Sequence, residues 1–140
     1  MIPISEQINQ LLDEMHNKVN IIESYVIRRD GLIISSNTSG SNGQKISALS
    51  ASIMEIGKRT LSEIGNDDLK LILVNGNKIN IIIAGSNEIA LVCAVKSDVN
   101  IGMVFLRMKR AAEQVQSILE AAYDKKDQAI ETNSYSTIFN

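Results

Sequence analysis

LKLILVNGNKINIIIAGSNEIALVCAV (Leu69–Val95) decides how the chain folds. It reads as three strands, Leu69–Val74, Ile79–Ala84 and Ile89–Val95, joined by two short turns. Asn75-Gly76-Asn77 carries the Asn-Gly pair of a two-residue hairpin turn, where both central residues must tolerate positive φ. Gly85-Ser86-Asn87-Glu88 is a second turn set. Short turns make the three strands an antiparallel meander. In the last strand Ile89, Leu91, Cys93 and Val95 point one way, and Ala90, Val92 and Ala94 the other. Strands apolar on both faces must be covered on both faces. The small residues Ala84, Ala90 and Ala94, read as sharing one face, suggest close approach of a helix there.

The cover must come from the flanking segments. Ile8, Leu11, Leu12, Met15 and Val19 recur at helical spacing after Ser5, a candidate N-cap. His16 lies at the edge of that stripe, with no second histidine to join it as a metal ligand. Asn20–Arg28 and Leu32–Ser36 read as a hairpin around Arg29-Asp30-Gly31, and the polar run Asn37–Lys45 as a connector. Ile46–Ile64 is a second helix closed by Gly65 at its C′ position. Its stripe of Ile46, Leu49, Ile53, Ile56, Thr60 and Ile64 is expected to face the sheet. The adjacent stripe, Ser50, Met54, Gly57 and Leu61, has two readings. It widens the buried face, or its small residues let a second copy approach.

Asp98 or Asn100 caps a third helix with its seam at Ile101, Val104, Met108, Ala111, Val115, Ile118 and Ala122. Arg107, Lys109 and Arg110 cluster near its start and read as a solvated face. From Lys125 the periodicity fades, and residues 125–140 read as a frayed polar tail beyond a 1–124 domain. Within that tail Tyr135, Ile138 and Phe139 are apolar enough to dock on a partner or on the domain.

The chain has 140 residues, 44% apolar and 21% charged, the size and balance of one globular domain. Its net charge of −2 argues against affinity for nucleic acid through phosphate neutralisation. A single cysteine, Cys93, cannot form an internal disulfide and reads as a buried thiol. The N-terminus has no secretory pattern and no apolar run suggests membrane insertion, so a cytoplasmic location is expected. Asn37-Thr38-Ser39 matches a glycosylation acceptor, which this location would leave unused. No Ser-His-Asp set, metal-ligand spacing or Gly-rich nucleotide loop is present, and Gly40, Gly43 and Lys45 miss the phosphate-loop spacing. The expectation is therefore a chain with no catalytic residues, no metal site and no cofactor. A small-ligand sensor on a profilin-like sheet would need an open apolar cavity, which the dense Ile and Leu content disfavours.

Five antiparallel strands with helices on both faces make an α+β domain of order αββαβββα. The middle helix is expected to cover one face and the terminal helices the other. Several strings in this order resemble the Roadblock family of dynein light chains, lysosomal scaffold subunits and bacterial and archaeal regulators of Ras-like GTPases. They are IIESYVIRRDGLIISS (Ile21–Ser36), the helix Ile46–Ile64 ending at Gly65, LKLILV (Leu69–Val74) and NIGMVFLRMKRAAEQV (Asn100–Val115). The resemblance spans about residues 5 to 123.

It implies a sheet ordered 2-1-5-4-3, with the third strand at an edge where a second copy pairs while the middle helices pack together. The expected homodimer interface is Leu69, Lys70, Leu71, Ile72, Leu73 and Val74 on the strand, with Ser50, Met54, Gly57 and Leu61 on the helix. On that reading, glutamate at Met54 and Leu61 should break the dimer. The resemblance further implies a non-catalytic platform that binds and regulates a small Ras-like GTPase, with Glu55, Lys58, Arg59 and Ser62 as contacts. A scaffold subunit of the light-chain type, without effect on nucleotide turnover, is the alternative.

Overall fold

The computed structural model describes residues 2–86 and 88–139, with side chains through residue 124. Helix α1 (Ile4–Lys18) is followed by β1 (Ile21–Arg28) and β2 (Ile33–Asn37). Helix α2 (Gly43–Gly65), strands β3 (Leu71–Asn75), β4 (Ile79–Gly85) and β5 (Ile89–Lys96), and helix α3 (Ile101–Phe139) complete the chain. The five strands form one antiparallel sheet in the order β2-β1-β5-β4-β3. The α+β class, element order and strand order match the expectation.

The central strand β5 is buried from Ile89 to Val95 apart from Ala94, because both of its faces are covered. On one side Ile89, Leu91, Cys93 and Val95 pack with Val26, Ile82 and the inner faces of α1 and α3 through Ile8, Leu12, Val104, Met108 and Val115. On the other, Ala90 and Val92 pack with Tyr25, Ile27, Ile83 and Met54 of α2. The two predicted layers are thus in place. The three alanines do not share a face, however. Ala84 pairs with Leu91 and belongs to the α1/α3 side, whereas Ala90 lies on the α2 side.

Local corrections follow from backbone geometry. Ser5 lies inside α1, and Pro3 occupies the cap position without a side-chain bond. The left-handed residue ending α2 is Asn66 (φ 49°, ψ 48°), one position beyond Gly65. Asn tolerates this region because its short polar side chain bonds locally. The β1–β2 turn behaves as read: Gly31 has φ 93°, and the Leu32 amide donates to Asp30 Oδ1 at 3.2 Å. The β3–β4 turn does not. Gly76 has no positive φ, Asn75 pairs with Asn80, and the Gly76 amide donates to the Ile79 carbonyl at 3.0 Å. A Cβ at Gly76 would stand 2.5 Å from that carbonyl oxygen, so close approach explains the glycine.

Asn100 rather than Asp98 caps α3, its Oδ1 accepting from the Met103 amide at 3.1 Å. The helix then continues to Phe139 instead of fraying at Lys125. Lys, Gln, Ala and Glu in residues 125–131 are good helix formers, and propagation needs no apolar stripe. The docking expected of Tyr135, Ile138 and Phe139 concerns side chains outside the described set.

Candidate functional site

Helix α2 is rotated relative to the sequence expectation. Ser47, Ser50 and Met54 are buried against the sheet, and the Ser47 hydroxyl donates to the Gly31 carbonyl. A Cβ on Gly57 would meet Ile72 Cδ1 at 3.3 Å and Leu69 Cδ1 at 3.5 Å. The stripe Ser50, Met54, Gly57 and Leu61 therefore packs on its own chain, with Leu61 half-buried. Within the single chain Ser50 and Met54 are buried and Gly57 and Leu61 half-buried, the wide buried face of the two readings. Small side chains let the helix backbone settle close to the strands, and Met54 fills the remaining space.

The larger apolar stripe is turned outward instead. Leu49 is 60% exposed, Ile56 65% and Ile64 84%, while Ile46 and Ile53 are half-buried at the rim of the α2-side core. The sheet surface extends this stripe. Ile72 pairs with the buried Ile83, so Val74, two residues on, lies on the same α2 side, with Ile81 and Ile79 beside it. Val74 and Ile79 are exposed, and Ile81 packs against the same core rim as Ile53. Helix and strand thus both expose apolar side chains on this side of the sheet, of the kind that marks an interaction site.

That surface ends at β3, which pairs with β4 alone and leaves its other side without a strand. The predicted Leu69–Val74 strand is shifted: Leu69 and Lys70 precede it, and Asn75 ends it. Leu71 and Ile72 are half-buried and Leu73 and Val74 exposed. An open apolar edge is a template for a further strand.

The predicted partner contacts lie on another flank of α2. Glu55, Lys58, Arg59 and Ser62 are all exposed and follow one another at helical spacing. Arg59 Nε donates to Glu55 Oε1 at 3.3 Å. Glu55 and Lys58 border a crevice of about 460 Å³ together with Arg29 and Asp68, and the Arg29 guanidinium donates to the Ser86 carbonyl at 2.9 Å. No group of three or more metal-ligating side chains occurs among the described residues.

Of the shifted titratable groups, Tyr25 lies in the α2-side core, while Cys93 and His16 belong to the α1/α3 side. Burial pushes the Cys93 thiol far above its usual range, and Tyr25 is raised by burial, with its hydroxyl donating to Glu23 Oε2 at 2.9 Å. His16 is lowered by burial, partly offset by Asp13, and its Nε2 lies 2.8 Å from Oγ of the buried Ser24. The folded chain therefore resists protonating His16. Below about pH 6.5 the unfolded chain takes up a proton that the folded one refuses, so stability is lost as pH falls through the lowered value. Denaturant unfolding at about pH 7.5 and 5.5 should show a smaller loss for His16→Gln than for the parent. An equal loss in both would assign the acid sensitivity to carboxylates alone.

A helix-covered antiparallel sheet with an open apolar edge, beside an exposed apolar helical stripe, defines the chain as a small α+β domain. Comparisons with known proteins agree with this class. Residues 7–95 match the model of the Roadblock/LC7 domain, and the chain belongs to that family. The uncharacterised protein MJ1340 of Methanocaldococcus jannaschii is 30% identical over 112 residues, which cover 79% of this chain and 98% of the relative. MJ0310 of the same organism is 29% identical over an equal span, with the same shares covered. Among solved structures the fold is similar to the gliding protein MglB of Thermus thermophilus. The TM-score is 0.79 at 16% identity, covering 86% of this chain and 94% of that one. Myxococcus xanthus MglB gives a TM-score of 0.76 at 21% identity, covering 82% and 96%.

Proposed function

We propose that the chain is a non-catalytic homodimeric platform that binds and regulates a small Ras-like GTPase in the cytoplasm. The observation that carries the reading is the open β3 edge joined to the outward stripe of Leu49, Ile56 and Ile64. A two-fold axis through that edge pairs β3 with its copy and brings the two α2 stripes together, an isologous contact. Family membership and the likeness to MglB, a gliding protein, support a regulatory role. The GTPase would contact the exposed flank of Glu55, Lys58, Arg59 and Ser62, which the apolar contact leaves free.

The test mixes the purified chain with small Ras-like GTPases encoded near its gene and follows complex formation and GTP turnover. The expected result is a complex with altered turnover. Arg59→Ala separates two roles for the arginine: an inserted arginine finger is worth about 10³-fold or more in turnover, whereas a rim contact changes binding modestly. Binding with unchanged turnover would establish the scaffold reading instead, and no binding to any such GTPase would refute the platform.

A further inference from the structure

The outer face of α3 carries a second surface, on the side of the sheet opposite α2. Met103, Leu106, Arg107 and Arg110 follow at i, i+3, i+4 and i+7, so they form one stripe on the helix surface. The inward positions Val104, Met108 and Ala111 are buried in the core. Met103 is 52% exposed and Leu106 49%, with the exposed Lys109 beside them. Arg107 and Arg110 border a crevice of about 200 Å³ between α1 and α3, together with Lys18 at the end of α1. Lys18 and Met103 border a neighbouring one of about 300 Å³.

Among the described residues the ion pairs are Arg28–Asp30 and Arg59–Glu55, so none of these cations has a carboxylate within ion-pair distance. Glu14 shares the crevice without reaching ion-pair distance. Lys78 lies at the same end of the sheet, its carbonyl accepting from the Ser97 amide at 3.0 Å. Lys96 alternates to the α2 side of β5 and is not part of this face. The acidic neighbours are Glu14 in the same crevice, Glu113, which borders a further crevice with Arg110, and Asp98 before the helix. A chain with net charge −2 thus places Lys18, Arg107, Lys109 and Arg110 close together on the α1/α3 face.

We propose that this face adsorbs peripherally on an anionic phospholipid bilayer. Lys18, Arg107, Lys109 and Arg110 would meet headgroup phosphates, while Met103 and Leu106 reach the acyl boundary. Cations interleaved with protruding, flexible apolar side chains suit a surface that is anionic outside and apolar beneath. A nucleic acid would use the cations and leave Met103 and Leu106 unpartnered, and the stripe exposes no aromatic ring on which a base could stack. The helix is too polar to span: no described helix is long and apolar enough to cross a membrane.

The experiment is flotation of the full chain with vesicles of phosphatidylcholine containing about 30% phosphatidylserine, against phosphatidylcholine alone. The chain is expected to float only with the anionic vesicles. Removing two cations by Arg107→Gln with Arg110→Gln should weaken binding about 25-fold, at about fivefold per charge. Met103→Ser with Leu106→Ser should also weaken it, with every charge retained. Met103, Leu106 and Arg110 are exposed and Arg107 is half-buried, and circular dichroism checks that the variants fold. Absence of flotation, equal flotation with neutral vesicles, or flotation indifferent to either variant would overturn the proposal. So would equally tight binding to a short DNA duplex, which would mark a general polyanion surface.

Discussion

Glutamate at both Leu49 and Ile56 is expected to leave the fold intact and convert a dimer into a monomer. In the single chain these side chains are mostly exposed, so they contribute little to folding. Substitutions at such positions usually change stability by about 0.5 kcal/mol or less, and Glu is at least as good a helix former as Ile. A two-fold axis doubles the effect at the interface, because both changes appear on each copy. Four carboxylates would then enter one apolar contact without partners. Each unpaired charge so buried costs several kcal/mol, together more than most reversible dimers can bear. Light scattering should move from twice 15.4 kDa to 15.4 kDa with an unchanged circular dichroism spectrum. A double variant that keeps the doubled mass would rule out the α2 stripe as an interface.

Met54→Glu should have the opposite signature. Met54 is 6% exposed and packs against Tyr25, Ile27, Ile83, Ala90 and Val92. Truncating such a side chain to alanine costs about 2–5 kcal/mol, and a carboxylate adds the penalty of an unpaired charge in apolar surroundings. A domain of this kind holds about 5–15 kcal/mol in total. Most of the cooperative unfolding transition should therefore disappear, in monomer and dimer alike. A Met54→Glu chain that melts within a few degrees of the parent would mean that α2 is turned the other way. The contrast with Leu49 and Ile56 is the direct assay of which stripe faces the sheet.

The orientation of α2 is also where sequence reasoning stopped. Ranked by hydrophobicity, Ile46, Leu49, Ile53, Ile56 and Ile64 outweigh Ser50, Met54 and Gly57, so hydrophobicity alone assigns the first set to the core. Hydrophobicity does not measure how near a helix backbone can come to a sheet. Gly57 beside Ile72 and Ser47 against the Gly31 carbonyl show that close approach decided the matter. The signal was present in the small residues, but it supports a second copy and the chain's own sheet equally well. The cationic stripe of α3 has the same character. Arg107, Lys109 and Arg110 are visible as a cluster, whereas their convergence with Lys18 depends on how α1 crosses α3.

Local chemistry was enough for the strands, the meander, both covering layers and the α+β class. Period-two patterning and turn residues act within a few positions, and Leu69–Val95 cannot be soluble without cover on both sides. The third strand's place at the sheet edge came from family resemblance, and the observed β2-β1-β5-β4-β3 order agrees with it. Tertiary contact alone decided which of two neighbouring stripes on one helix is core and which is surface. The two stripes share the same helical period, and only the shape of the opposing sheet distinguishes them.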